Sequence, residues 1–278
     1  MANCNRRNNF IGNIIIGDSL LERDEEIRSG IANFYEGLFR EEGVGCPRVD
    51  ELEFDIISVE DASCLERPFD EEEVVAALKS INGDKAPGPD GMSMAFFQHC
   101  WGTVRVEVMG MFQYFWEHGE FECFFCGFIP KKGGAEDISL LGGAYKLLAK
   151  VLAGRLKKVV EKVVSESQNA FVPGIQILDA ILVANECVDL RLKSGNPGLV
   201  CKLDIEKAYD NVNWDFLLYV IERMDFGGLW RKWIIACVSS VRISVLVNGT
   251  PASFFQTSRG LRQGDPLSTL LFILVMEF

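Results

Sequence analysis

Two aspartates, Asp204 and Asp210, frame the stretch LDIEKAYD. An apolar run, GLVC, leads into it, so Asp204 falls where a buried strand would emerge and Asp210 in the turn that follows. A carboxylate at a strand end beside a cavity suits a magnesium ion, which takes hard oxygen donors and keeps several waters. The same residues also fit ordinary structure, with Asp204 ending a strand and Asp210 capping a helix that starts near Asn211. A second candidate is RGLRQGDPLS at 259–268. Gly260 and Gly264 allow close backbone approach, and Arg259, Arg262 and Gln263 supply donors suited to phosphates and base edges. The plain alternative is a glycine turn ahead of a proline-started helix. Cys123 and Cys126 form a lone C-x-x-C without a second pair, and a structural zinc needs four ligands, so buried thiols are the better reading.

Several elements must position these groups. Ile27, Ile31, Phe34, Leu38 and Phe39 recur at helical spacing and predict an amphipathic helix over 24–42, after a lead-in around IGNIII that reads as a short strand or as unstructured chain. Residues 43–68 mix Gly, Pro and acidic residues without period and read as a linker. Asp70 is placed to cap a helix with Glu73 at its third position, and that helix stops before the Pro/Gly-rich NGDKAPGPDG. Residues 92–118 read as one helix. Tyr145, Leu148, Leu152, Leu156, Val159 and Val163 form a single stripe on a long helix, with Lys146, Lys150, Lys157 and Lys158 opposite. Those lysines fit a solvated face or a phosphate-binding one. Two further helices follow in NWDFLLYVIERM and GLWRKWIIACV. RISVLVNGTPASFF predicts a hairpin about Asn248-Gly249, and Pro266 starts a last helix. The pattern is α+β: helix-rich with one small antiparallel sheet.

Bulk properties limit the function classes. The chain has 278 residues, 48% of them hydrophobic, enough for a substantial core. The run from Leu270 to Met276 is far too short for a bilayer span, and no secretory leader opens the sequence, so a non-membrane, non-secreted, intracellular protein, nuclear or cytoplasmic, is expected. Nine unevenly spaced cysteines fit reduced thiols. The net charge of −12 is unevenly spread: residues 1–127 carry 10 Lys+Arg against 25 Asp+Glu, whereas residues 128–278 carry 18 against 15. The rear half can therefore meet a polyanion locally.

Taken in order, VCKLDIEKAYDNVNWDFL, SVLVNGTP, SRGLRQGDPLS and LLFILVMEF resemble the palm of the LINE-type (non-LTR) retrotransposon reverse transcriptases of plants. Upstream, DKAPGPDGMSMAFFQHCW, FIPKKGG, ISLLGGAYKLLAKVLAGRLKKVV and SESQNAFVPGIQILDAILVANE resemble that family's fingers. The resemblance covers essentially the whole chain. It implies a right-hand polymerase with fingers and a partial palm, without a thumb. Its divisions would be an acidic N-terminal extension and linker over 1–68, fingers over 69–198 and palm over 199–278.

The same resemblance implies an RNA template, a DNA primer, deoxynucleoside triphosphates and a pair of Mg2+ ions. Asp204 matches the first metal-binding aspartate, and the carbonyl of Ile205 would help hold the second ion. Tyr209 matches the aromatic residue that excludes a ribose 2′-hydroxyl. Gln263 and Gly264 match the loop shaping the nucleotide pocket, Arg262 its basic neighbour, and Lys131 the fingers lysine that meets the triphosphate. The sequence also departs from the family. The adjacent aspartate pair that completes the metal site is absent, and no Asp-Asp occurs anywhere. The family's arginine before ISL is missing, and Ile175 stands where another arginine is usual. These departures lead us to expect a chain inactive in polymerisation by itself; a non-catalytic nucleic-acid-binding remnant is the alternative.

Overall fold

Ser58, Asp70, Ser93 and Asn213 each precede a helical run, and each accepts a backbone N–H from the first turn of a helix. In the computed structural model these caps fix where the helices start. The structure describes residues 10–41, 43, 48–49, 51–85, 87–88, 90–120, 124–129, 138–165, 168, 177–195, 197–201 and 203–277. Its elements run β1 (Ile14–Ile16), β2 (Ser19–Leu21), α1 (Asp24–Leu38), α2 (Val59–Glu66), α3 (Glu71–Ser80), α4 (Met94–His99), α5 (Trp101–His118), β3 (Phe124–Ile129) and β4 (Ile138–Leu141). Then follow α6 (Gly143–Leu156), a 3-10 turn at Val160–Lys162, α7 (Ile177–Ser194), α8 (Trp214–Arg223), α9 (Gly228–Ser239), β5 (Val241–Val247), β6 (Thr250–Gln256) and α10 (Ser268–Val275).

The helix-rich α+β expectation holds, with one change to the sheet. β1 and β2 form a small hairpin, and the larger sheet has the order β4-β3-β5-β6. Its outer pairs are antiparallel, but β3 and β5 run parallel, from Phe124 opposite Val241 to Phe128 opposite Val245. The sheet is therefore mixed. A parallel pair joins segments far apart in sequence, and no local turn signal announces it. The β5–β6 hairpin turns at Asn248-Gly249 as expected, both residues at positive φ. The Asn248 side chain also bonds the backbone N–H and C=O of Ile11, tying the lead-in to the turn.

α6 lies at the centre. Its predicted stripe of Tyr145, Leu148, Leu152 and Leu156 is buried, but so are Leu147, Ala149 and Val151 on other sides. The helix ends at Leu156, and Val159 and Val163 of the stripe are buried beyond it. Lys157 and Lys158 are exposed, and Lys146 and Lys150 only half so. Around α6 the aromatic group Phe69, Phe112, Phe115 and Trp233 packs edge-on and tilted.

Three sequence expectations need correction. Residues 43–68 do not act as a linker over their whole length: Ser58 and Asp61 form a reciprocal cap that starts α2, and Leu65 is buried. Ile57 N–H donates to the Met224 carbonyl, so this segment belongs to the common core. The helix over 92–118 is two helices, broken at Cys100. Phe34 faces solvent, and Ala32 and Tyr35 take the buried side of α1.

Candidate functional site

The sequence 259–265 folds onto 209–213 through backbone bonds. Leu261 N–H donates to the Tyr209 carbonyl at 2.7 Å, and Gly260 N–H to the Val212 carbonyl at 2.8 Å. Trp214 Nε1 donates to the Gly260 carbonyl at 2.8 Å. Gly260 sits at φ +89°, and a Cβ there would lie 2.8 Å from the Asp210 carbonyl oxygen, so this approach needs glycine. Asn213 accepts the Phe216 N–H and starts α8 directly behind the contact. Tyr209, half-buried, stacks on Phe272 of α10 with ring centroids 4.4 Å apart and planes 14° apart. Two segments that sequence reading singled out separately thus form one unit.

Beyond Leu261 the chain makes a turn over Arg262–Asp265, closed by Asp265 N–H to the Arg262 carbonyl. Gly264 has φ +82°, as the third residue of such a turn requires. The two central residues, Gln263 and Gly264, are exposed, and the two end residues, Arg262 and Asp265, are buried. Arg262 bonds the carbonyls of Cys237 and Val238 in the last turn of α9 at 2.8–3.0 Å and the Tyr145 hydroxyl at 3.0 Å. The Tyr145 hydroxyl in turn donates to Asp265 Oδ2 at 2.5 Å, and Asp265 Oδ1 accepts the Leu267 N–H. Burial pushes the Asp265 carboxyl above its ordinary range against the pull of Arg262 and the Tyr145 hydroxyl. Burial, reinforced by Asp265, holds the Tyr145 phenol well above its usual value, so it remains a donor. Burial likewise raises the Cys237 thiol, keeping it protonated and unreactive.

Arg262 is therefore not a basic group presented to phosphate, because helix carbonyls and a phenol occupy its guanidinium. Arg259 is also committed, donating twice to the Leu38 carbonyl at the end of α1. Sequence reading missed Tyr145 as a polar residue, since its place in an apolar stripe signals core only.

The described residues before Asp204 do not form the expected strand. Leu199, Val200 and Leu203 are 94%, 78% and 81% exposed, and Ile205 is 53% exposed. No strand among the described residues pairs with this run, and extended backbone without a partner is not a ladder. Asp204 is exposed. Among the described residues, no group of three or more His, Cys, Asp or Glu is gathered to hold a metal. A cavity of about 550 Å3 lies elsewhere, between α1 and the β5–β6 hairpin, lined in part by Arg40, Arg242, Phe254 and Gln256. Lys131, Cys123 and Ile175 lie outside the described residues, as does the side chain of Cys126.

Residues 129–278 match the family described as reverse transcriptase (RNA-dependent DNA polymerase). A Xenopus laevis protein, the transposon TX1 uncharacterized 149 kDa protein, is 29% identical over 269 residues, covering 92% of this chain and 21% of that protein. The Pol polyprotein of the type-1 retrotransposable element R2 from Nasonia vitripennis is 26% identical, over 77% of this chain and 21% of its own length. An R2 Pol polyprotein from Popillia japonica is 25% identical, over 76% of the chain and 30% of its own. The chain thus spans about a fifth to a third of the length of these curated relatives. All three come from animals and lend no support to a plant lineage. Among the described residues no helix is long and apolar enough to cross a membrane.

Proposed function

Since the chain belongs to the reverse transcriptase (RNA-dependent DNA polymerase) family, we propose that it is the fingers and partial palm of the reverse transcriptase domain of a LINE-type, non-LTR retroelement. The reaction served is RNA-directed DNA synthesis from deoxynucleoside triphosphates on an RNA template with a DNA primer, inside the cell. The observation that carries this reading is the backbone lock of Gly260 and Leu261 onto Val212 and Tyr209, which ties the Tyr209 backbone to the residue just before the exposed Gln263–Gly264 turn. An aromatic residue joined through its backbone to an exposed glycine turn suits a nucleotide site, with Tyr209 discriminating against a 2′-hydroxyl. In this reading Ile205 and Lys131 complete the nucleotide contacts, and Arg262 acts by holding the turn.

Reverse transcriptases of this family generally use divalent metal ions. The described donors do not fit a two-ion magnesium site. Each ion takes near-octahedral oxygen coordination, and Asp204 is an exposed carboxylate that belongs to no group of three or more His, Cys, Asp or Glu among the described residues. No chemical step is assigned through the ions. This supports the second part of the proposal, that the chain by itself does not extend a primer; a non-catalytic nucleic-acid-binding remnant is the alternative reading.

The test pairs two measurements on the 278-residue chain, binding of an RNA–DNA template-primer at graded salt and incorporation of a labelled deoxynucleotide with Mg2+ or Mn2+. Salt-sensitive binding without incorporation is the expected result. Incorporation would overturn the inactivity of the chain, and absence of binding would overturn the reading as a nucleic-acid enzyme or its remnant.

A further inference from the structure

We propose that Tyr145 is the positioning residue of the nucleotide pocket: its hydroxyl bridges the two ends of the turn that displays Gln263 and Gly264. The inference rests on the reading of that turn as part of the pocket. It starts from the geometry of one oxygen atom, which accepts from Arg262 Nη1 at 3.0 Å and donates to Asp265 Oδ2 at 2.5 Å. Arg262 and Asp265 are the first and fourth residues of the turn, and their own charges sit farther apart, at 3.7 Å. The hydroxyl therefore closes the base of the turn more tightly than the ion pair does. Tyr145 is 1% exposed and belongs to α6, the most deeply buried helix, so it supplies a fixed reference against which the turn is held. Arg262 adds a second anchor on the last carbonyls of α9.

The arrangement separates two tasks. The buried ends take every directional contact, and the exposed pair, Gln263 and Gly264, is left to a ligand. A turn whose ends are held this way presents its central amides and the Gln263 side chain in one orientation, which lowers the ordering cost of binding. Without the hydroxyl, Arg262 keeps its α9 carbonyls and Asp265 keeps the Leu267 N–H, but Asp265 loses its short buried bond to α6, and its end of the turn is no longer tied to that helix. The predicted defect is therefore in the turn and not in the fold.

Tyr145→Phe removes one oxygen and keeps the ring. Hydrogen exchange of the full chain, read at the amides of residues 260–265 and separately in α8 and α9, is the primary measurement. We expect exchange in 260–265 to rise roughly tenfold or more, the scale of one buried hydrogen bond to a charged group, with α8 and α9 unchanged. Titration with deoxyadenosine triphosphate in the presence of template-primer is the second measurement, and its affinity should fall by a similar factor. Asp265→Asn, which keeps an acceptor oxygen for the hydroxyl, should move the same amides less and serves if Tyr145→Phe does not fold. Unchanged exchange in the turn, or a uniform rise across the core, would overturn the positioning role. Loosening confined to the turn in a protein whose wild type binds no nucleotide would keep the role and overturn the pocket reading instead.

Discussion

Arg155 of α6 and Glu73 of α3 form a two-pronged ion pair, with Nε to Oε1 at 3.0 Å and Nη2 to Oε2 at 2.8 Å. The arginine side chain is only 2% exposed and the glutamate 15%. The remaining guanidinium protons go to the carbonyls of Leu65, Arg67 and Pro68, and the plane lies over the Phe69 ring at 4.2 Å. One side chain thus gathers the end of α2, the following turn and the start of α3 onto the central helix.

Arg155→Met should cost about 3–5 kcal/mol, because it removes the buried partner of Glu73, leaving only Arg67 at 3.3 Å, and strands three carbonyls at once. Glu73→Gln should cost less, since the amide oxygen still accepts. Urea unfolding of both variants checks this, and equal losses would show that the pair, not the carbonyl contacts, dominates.

Gly260→Ala and Gly264→Ala share a positive φ but differ in surroundings. At Gly260 the added methyl meets the Asp210 carbonyl oxygen, and at Gly264 nothing lies within 4 Å. Gly264→Ala should cost about 1 kcal/mol of backbone strain, and Gly260→Ala clearly more, with loss of the Tyr209–Leu261 contact. Denaturation midpoints give the ranking, and a milder Gly260 variant would contradict the described approach.

The Arg67 guanidinium beside Asp70, with the Glu73 N–H behind it, holds the Asp70 carboxyl below its ordinary value. A depressed folded value means that this stabilisation is present above the unfolded carboxylate range and is lost as pH falls through the folded one. The stability gap between wild type and Asp70→Asn should be flat at neutral pH and shrink below about pH 4. Urea midpoints of both proteins across that range test it, and a gap that widened on acidification would reverse the sign. The half-exposed pair makes the effect small.

Tyr209→Ala removes the stack on Phe272, worth about 0.5–1.5 kcal/mol. On the proposed reading it should also bring ribonucleotide and deoxynucleotide affinities close together, with Tyr209→Phe retaining the preference. Competition binding with the two nucleotides reads this directly. An unchanged ratio would remove Tyr209 from sugar selection.

Most of the helices were legible because their information is local. Asp70, the Asn248-Gly249 turn and the Tyr145–Leu156 part of the stripe each depend on near neighbours in the chain, and each appears where the spacing places it, whereas the cap ahead of α8 is Asn213 and not Asp210. The motif order was legible for the same reason, and with it the family. Tertiary structure decided what depends on distant neighbours. It set the parallel β3–β5 pair, the solvent exposure of Leu199, Val200 and Leu203 and the burial of Arg262 against α9. Arginine in a glycine loop looks the same in sequence whether its donors meet phosphate or helix carbonyls. Only packing, which fixes the partners available within hydrogen-bond reach, distinguishes the two.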